Sequence, residues 1–178
     1  MRASPLTARG KTLWRVAMVS IAATVFAFDR VTKVLAERRI HDGDVVTVIP
    51  GFFNLISTKN SGAVFGLFSE STASWKTPLL VAVSVTLLVV VVLLVIRTQN
   101  LQWQTRIGLS LILGGAVSNL LDRVRTGQVE DFLDFYVRSY HWATFNLADS
   151  AIVVGTAFIA VQVLFGEYKS GARSQESE

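Results

Sequence analysis

No cysteine occurs among the 178 residues, which excludes disulfides, thiolate metal sites and a cysteine nucleophile. Histidine is almost as scarce: His41 and His141 stand apart, outside any H-E-x-x-H arrangement, so a zinc-protease helix is excluded. There is no G-x-S-x-G and no Walker sequence, which removes the serine-elbow and phosphate-loop chemistries. Charge is also in short supply. Only 17% of the residues are charged against 51% hydrophobic, and mean hydropathy is +0.47, too apolar for an ordinary soluble domain.

What the chain has in quantity is apolar runs, the mark of a polytopic membrane protein. A net charge of +4 raises the question of nucleic acid, but Lys and Arg sit mainly in short flanks of the apolar runs, so no nucleic-acid partner is expected. Residues 1–15 carry Arg2, Arg9, Lys11 and Arg15 and no acid, the composition of a cytoplasmic anchor. A secretory signal peptide is the competing reading, disfavoured because Asp29 stands where a small-residue cleavage site would follow.

Val16 to Phe28 is only 13 residues long, whereas spanning a bilayer takes about 20, so the first helix must continue past Asp29. Thr77 to Ile96 is 20 residues without a charge and the clearest span. Ile107 to Leu121 is 15 residues, roughly 22 Å at the helical rise and short of the roughly 30 Å hydrocarbon core, which draws Asn119, Asp122 and Arg123 to the boundary. Gly114 and Gly115 in this run suit close helix packing. Ser150 to Phe165, at 16 residues, is short enough to hold Asp149 at the interface.

Between the first two spans, the turn signals Asp42-Gly43 and Pro50-Gly51 bracket the β-rich VVTVI and FFNLIST. The expected fold is a single all-α integral membrane domain over 1–178. It has four transmembrane helices (about 14–36, 77–96, 105–123 and 147–165) and a small β-rich extracytoplasmic subdomain (about 40–70) on the membrane surface. Residues 166–178 read as a polar, disordered tail.

Four crossings from an inner start put both termini in the cytoplasm. The inner segments hold eight Lys or Arg (four before residue 16, Arg97, Arg106, Lys169 and Arg173), and the outer ones nine spread over about twice the length. The outer face then collects Asp29 and Lys33, Asn60, Asn119 to Arg123, and Asn146 to Asp149. Ionisable groups at such an edge are costly and point to function. Asp29, Thr32 and Lys33 share a helical face, either as a neutralising ion pair or as support for a site. In KNSGAVFGLF, Asn60 with Gly62 and Gly66 either meets an extended peptide or forms a solvated loop.

Two carboxylates can activate water, one taking its proton while the other, protonated, polarises a carbonyl; this needs no metal or other cofactor. An aspartyl hydrolase and a four-helix ion or small-solute carrier both fit the buried acids. A carrier needs a polar path, yet the second helix offers only Thr77, Ser84 and Thr86, all in its outer half. A structural scaffold gives no reason for Asp at three helix ends. Asp149 follows the capping residue Asn146 and is the candidate to take the proton. Asp131, beside Glu130 and apolar Phe132 and Leu133, is its candidate partner. Asp122 is expected to pair with Arg123. Asp134 shares the face of Asp131 only if that stretch, read as a loop, is helical; otherwise it faces solvent.

DRVTK (29–33), NSGAVF (60–65), GGAVSNLLDR (114–123), VEDFLDF (129–135) and FNLAD (145–149) occur in the order and approximate spacing of one family. From Asp29 to Phe165 the chain resembles the lipoprotein signal peptidases, signal peptidase II. The resemblance implies a membrane aspartic protease of the bacterial inner membrane that cuts prolipoproteins before their diacylglyceryl-modified Cys, at the outer leaflet. It implies lipidated prolipoproteins and membrane lipids as partners, a monomeric chain, and Asp131 with Asp149 as the catalytic dyad. By the same resemblance Asp29, Lys33, Asn60, Gly62, Asn119, Asp122, Arg123, Asn146 and Ala148 support the site or bind substrate. Two positions depart from the family pattern. Ser118 replaces the usual Gly before Asn119, a small intrusion expected to tighten helix packing without touching chemistry. Glu130 replaces an apolar residue and should raise the Asp131 pKa unless it points to solvent.

Overall fold

The computed structural model describes residues 8–175 except 42, 63–72, 74 and 98–100. Gly66 and most of its loop, and the last three residues, therefore lie outside the described residues. Four helices are long and apolar enough to cross a membrane: α1 (Ala8–Arg39), α2 (Lys76–Arg97), α3 (Trp103–Thr126) and α4 (Leu147–Gln175). α1 passes straight through Asp29, as the short apolar run requires. α3 stops at Gly127, whose left-handed φ of 75° lets its N–H close on the Arg123 carbonyl at 3.0 Å. α4 corrects the reading of a disordered tail from 166: the helix continues to Gln175, through a segment with no proline to stop it.

α3 is the central helix, packed against α1, α2 and α4. Its small residues set the distances. A Cβ on Gly114 would fall 2.5 Å from the Ala22 carbonyl oxygen of α1, and one on Gly115 would fall 2.4 Å from the Ala148 carbonyl oxygen of α4. Farther down, Gly108 and Gly155 face each other, each backbone against the other. At that end Arg106, expected as a loop-flanking topological charge, is instead buried, with its guanidinium 4.9 Å over the Trp14 ring and Nε donating to the Leu101 carbonyl. α2 packs mainly against α3, and Ser84 and Thr86 donate their hydroxyls to carbonyls of α2 itself.

The polar stretches fold into one antiparallel sheet of order β1 (Val46–Ile49), β2 (Phe53–Asn60), β3 (Val129–Val137) and β4 (Tyr140–His141). β1 and β2 are joined across Pro50-Gly51, where Gly51 takes φ 79° and Phe52 N–H bonds the Ile49 carbonyl. β3 is a correction, because its three acids and mixed pattern read as a loop. Its acids are tolerated in a strand since each finds a partner. Asp134, only 4% exposed, does not face solvent: it accepts from Asn54 Nδ2 at 3.0 Å and meets His141 Nδ1 at 2.8 Å. Phe132 packs on Ala36 of α1 and on Ile40 just beyond it, with Leu55, Leu133 and Leu147 around them, and so seats the sheet on the helix ends.

The glycine contacts generate a test far from the polar groups. Gly108→Val would put side-chain atoms where the Gly155 carbonyl oxygen now lies 2.6 Å from an ideal Cβ. Overpacking of this kind costs about 1–3 kcal/mol, so thermal unfolding of the purified variant should shift to lower temperature.

Candidate active site

The site grows from the ends of three helices and from two strands. At the start of α4, Asn146 caps the helix: its Oδ1 accepts from Asp149 N–H at 2.9 Å, while the Asp149 carboxylate reaches back to Asn146 N–H at 3.4 Å. The other end of the Asn146 amide donates to Asp131 Oδ1 at 2.6 Å. One fully buried side chain therefore links the two acids. Asp131, on β3, accepts a second bond at Oδ2 from Asn60 Nδ2 (2.9 Å), and Asn60 is itself held by Gly62 N–H at 2.8 Å. The segment after β4 returns along β3, Phe145 pairing with Leu133, and this delivers Asn146 to Asp131.

Behind the acids lies a buried ionic cluster. Lys33, 1% exposed, directs Nζ to Asp29 Oδ2 (2.7 Å), Asp122 Oδ2 (2.7 Å) and Asn119 Oδ1 (2.9 Å), one acceptor for each N–H. Asn119 then donates Nδ2 to Asp149 Oδ1 at 2.7 Å. Asp29 accepts Ala148 N–H at 2.8 Å. Thr32, expected on the same face as Asp29, spends its hydroxyl on the carbonyls of Phe28 and Asp29. Among the described residues no cluster of His, Cys, Asp and Glu suits a metal ion.

Asp131 and Asp149 line one cavity of about 430 Å³ together with Asn60, Arg123, Trp142 and Phe145. Its wall continues onto Val153 and Val154 of α4, and Val153 is 66% exposed. The chamber is thus polar at its floor and apolar at its side. Asp131 is 1% exposed, and burial first, then the nearby Asp149 charge, pushes its pKa from 3.8 up to about 7. Hydrogen bonds from Asn60 and Asn146 and the Lys33 charge oppose that rise.

Every site residue named from sequence is drawn into this assembly, but some by other partners than expected. Asp122 pairs with Arg30 and Lys33 of α1 rather than with Arg123. Consecutive residues diverge by about 100° around a helix, so Arg123 turns instead to the cavity, near the Asn119 and Gly62 carbonyls at 3.4 and 3.5 Å. Glu130 is not the cause of the Asp131 rise: its carboxylate accepts from Ser57 Oγ at 2.6 Å, away from the partners of Asp131. One residue was missed and a second was read only as packing. Arg30 shares a helical face with Lys33 at i and i+3, a signal present in the sequence. Ser118 donates Oγ to Asp29 Oδ2 at 2.6 Å, so it enters the polar network rather than only filling space.

A family model described as Signal peptidase (SPase) II matches residues 21–165. The lipoprotein signal peptidase of Solibacter usitatus is 44% identical over 144 residues, covering 81% of this chain and 88% of that protein. That of Oleidesulfovibrio alaskensis is 41% identical over 143 residues, 80% and 91% of the two chains. Two solved structures, each described as a bacterial membrane enzyme determined by the in meso method, superpose with TM-scores of 0.74 and 0.75 at 32% and 31% identity. They cover 83% of this chain and 87% and 92% of their own. With a match over most of its length, and with Asp131 and Asp149 on one cavity, the chain belongs to the signal peptidase II family and is an aspartic-type peptide hydrolase.

Proposed function

We propose that this enzyme removes signal peptides from prolipoproteins by two-aspartate activation of water, cutting before a diacylglyceryl-modified Cys. The observation that carries the reading is the Asn146 bridge between two carboxylates facing one cavity. Asp149 accepts the proton of the attacking water as its oxygen bonds the scissile carbonyl carbon. Asp131, holding a proton near neutral pH, gives it to the carbonyl oxygen. Collapse of the tetrahedral species breaks the C–N bond, with proton return through the dyad to the departing amine. Two Asn side chains and Lys33 hold the pair without supplying a competing nucleophile.

Lipid dependence follows from the cavity's apolar side. Val153 and Val154 lead from the dyad onto the exposed face of α4, so a substrate held in the bilayer by two acyl chains, at about 0.8 kcal/mol per buried methylene, enters sideways. Exposed Val46, Ile49, Phe52, Val137 and Trp142 on and beside the sheet favour its lying on the outer leaflet, with both termini cytoplasmic. The site is complete within one chain, which supports a monomer. The carrier reading loses ground to α2, whose Ser84 and Thr86 hydroxyls are spent on its own backbone.

The central test replaces each acid by Asn and assays cleavage of diacylglyceryl-modified prolipoprotein. Asp131→Asn and Asp149→Asn should still bind substrate yet lose kcat on the order of a thousandfold or more; either one retaining activity refutes the dyad. The unlipidated precursor in the same membranes should be cut far more slowly, and equal rates would remove the lipid requirement. A raised carboxyl pKa means the folded chain keeps the Asp131 proton to higher pH than the unfolded chain. Stability and activity should therefore both decline as pH rises toward and through about 7, where this proton leaves. A kcat/KM profile flat from pH 6 to 9 would contradict that assignment.

A further inference from the structure

Ser118 is fully buried at 0% exposure, inside a helix where a serine hydroxyl commonly turns back to its own i−4 carbonyl. Here it crosses to α1 and donates to Asp29 Oδ2 at 2.6 Å. The opposite oxygen of that carboxylate accepts Ala148 N–H at 2.8 Å, one residue before Asp149. The neighbouring positions of α3 grip the same turn. Gly115 lies against the Ala148 carbonyl, where a Cβ would approach to 2.4 Å, and Asn119 donates to Asp149 Oδ1 at 2.7 Å.

We infer that Ser118 is a positioning residue for the catalytic pair, acting through Asp29 to fix the Ala148–Asp149 turn and so the aim of the Asp149 carboxylate. The inference rests on the assignment of Asp131 and Asp149 as the dyad. The χ2 torsion of an Asp is broad, so the direction of its oxygens is set by the donors around it. Lys33 divides its ammonium among Asp29, Asp122 and Asn119. Without the hydroxyl, Asp29 Oδ2 keeps only that shared contact, and the carboxylate that holds Ala148 N–H is free to swing. A glycine at this position could supply no such donor. The hydroxyl at 118 is therefore part of how this chain builds its site.

The test uses the full-length purified enzyme and diacylglyceryl-modified prolipoprotein. Ser118→Ala keeps the Cβ and removes the hydroxyl; Ser118→Gly removes both. Both variants should lower kcat by about tenfold, as slight misplacement of a reacting group does, with KM within twofold of the parent. The folded fraction, measured alongside, should be unchanged at the assay temperature. Ser118→Ala with kcat within twofold of the parent overturns the inference, as does a rate loss accounted for by unfolded protein or by KM alone. Asp149→Asn run in parallel separates the two readings. If it is inactive while Ser118→Ala is normal, only the role of Ser118 falls; if it remains active, the dyad itself falls.

Discussion

The Lys33 ammonium is the point on which this structure turns. Its three N–H groups meet Asp29, Asp122 and Asn119, and Arg30 adds a second cation on Asp122. Two carboxylates are thereby matched by two cations at the level where α1 and α3 leave the hydrocarbon-length run. Desolvating one unmatched ion costs several kcal/mol, and at an effective dielectric near 20 a pair in direct contact recovers roughly 5 kcal/mol. The cluster is affordable only as a whole. That interdependence ties α1 to α3 and, through Asp29 and the Ala148 amide, both of them to α4.

From this charged base, neutral amides carry order outward to the acids. Asn119 accepts a hydrogen bond from Lys33 and donates one to Asp149; Asn146 accepts from the backbone of Asp149 and donates to Asp131. An amide both donates and accepts, so it transmits position without placing a full charge beside the dyad. The dyad can then be set by burial and by its own mutual repulsion. Asp131 shows that outcome, with burial the leading cause of its rise to about 7. A cation in direct contact with Asp131 would have opposed that rise and favoured its ionised form.

Backbone approach is the second constraint. The amide relays span α3 to α4 only because Gly115 and the Gly108–Gly155 pair let those helices come together, and Gly114 does the same toward α1. The sheet closes the other side, seated by Phe132 on Ala36 and Ile40. α2 stays outside, against α3, and contributes a span rather than a wall of the site. The cavity is thus bounded by polar groups from β2, α3, β3 and the start of α4, and by apolar side chains where α4 faces outward.

The sequence by itself determined the membrane class, the four spans and the set of polar residues at one face, because those follow from run length and from the cost of stranding charge in hydrocarbon. The family was legible by a different route, the resemblance of its ordered motifs to those of known peptidases. What only the tertiary structure decided was who meets whom. Asp122 looked like the partner of adjacent Arg123, but helical rotation sends those two side chains apart and brings Arg30 and Lys33 from 89 to 92 residues away. Asp134 looked solvated, and β3 looked like a loop, because strand pairing with Asn54 is a long-range contact with no local periodicity to announce it. Ser118 looked like a packing change, since one hydroxyl carries no trace in sequence of the carboxylate 89 residues away that accepts its hydrogen bond.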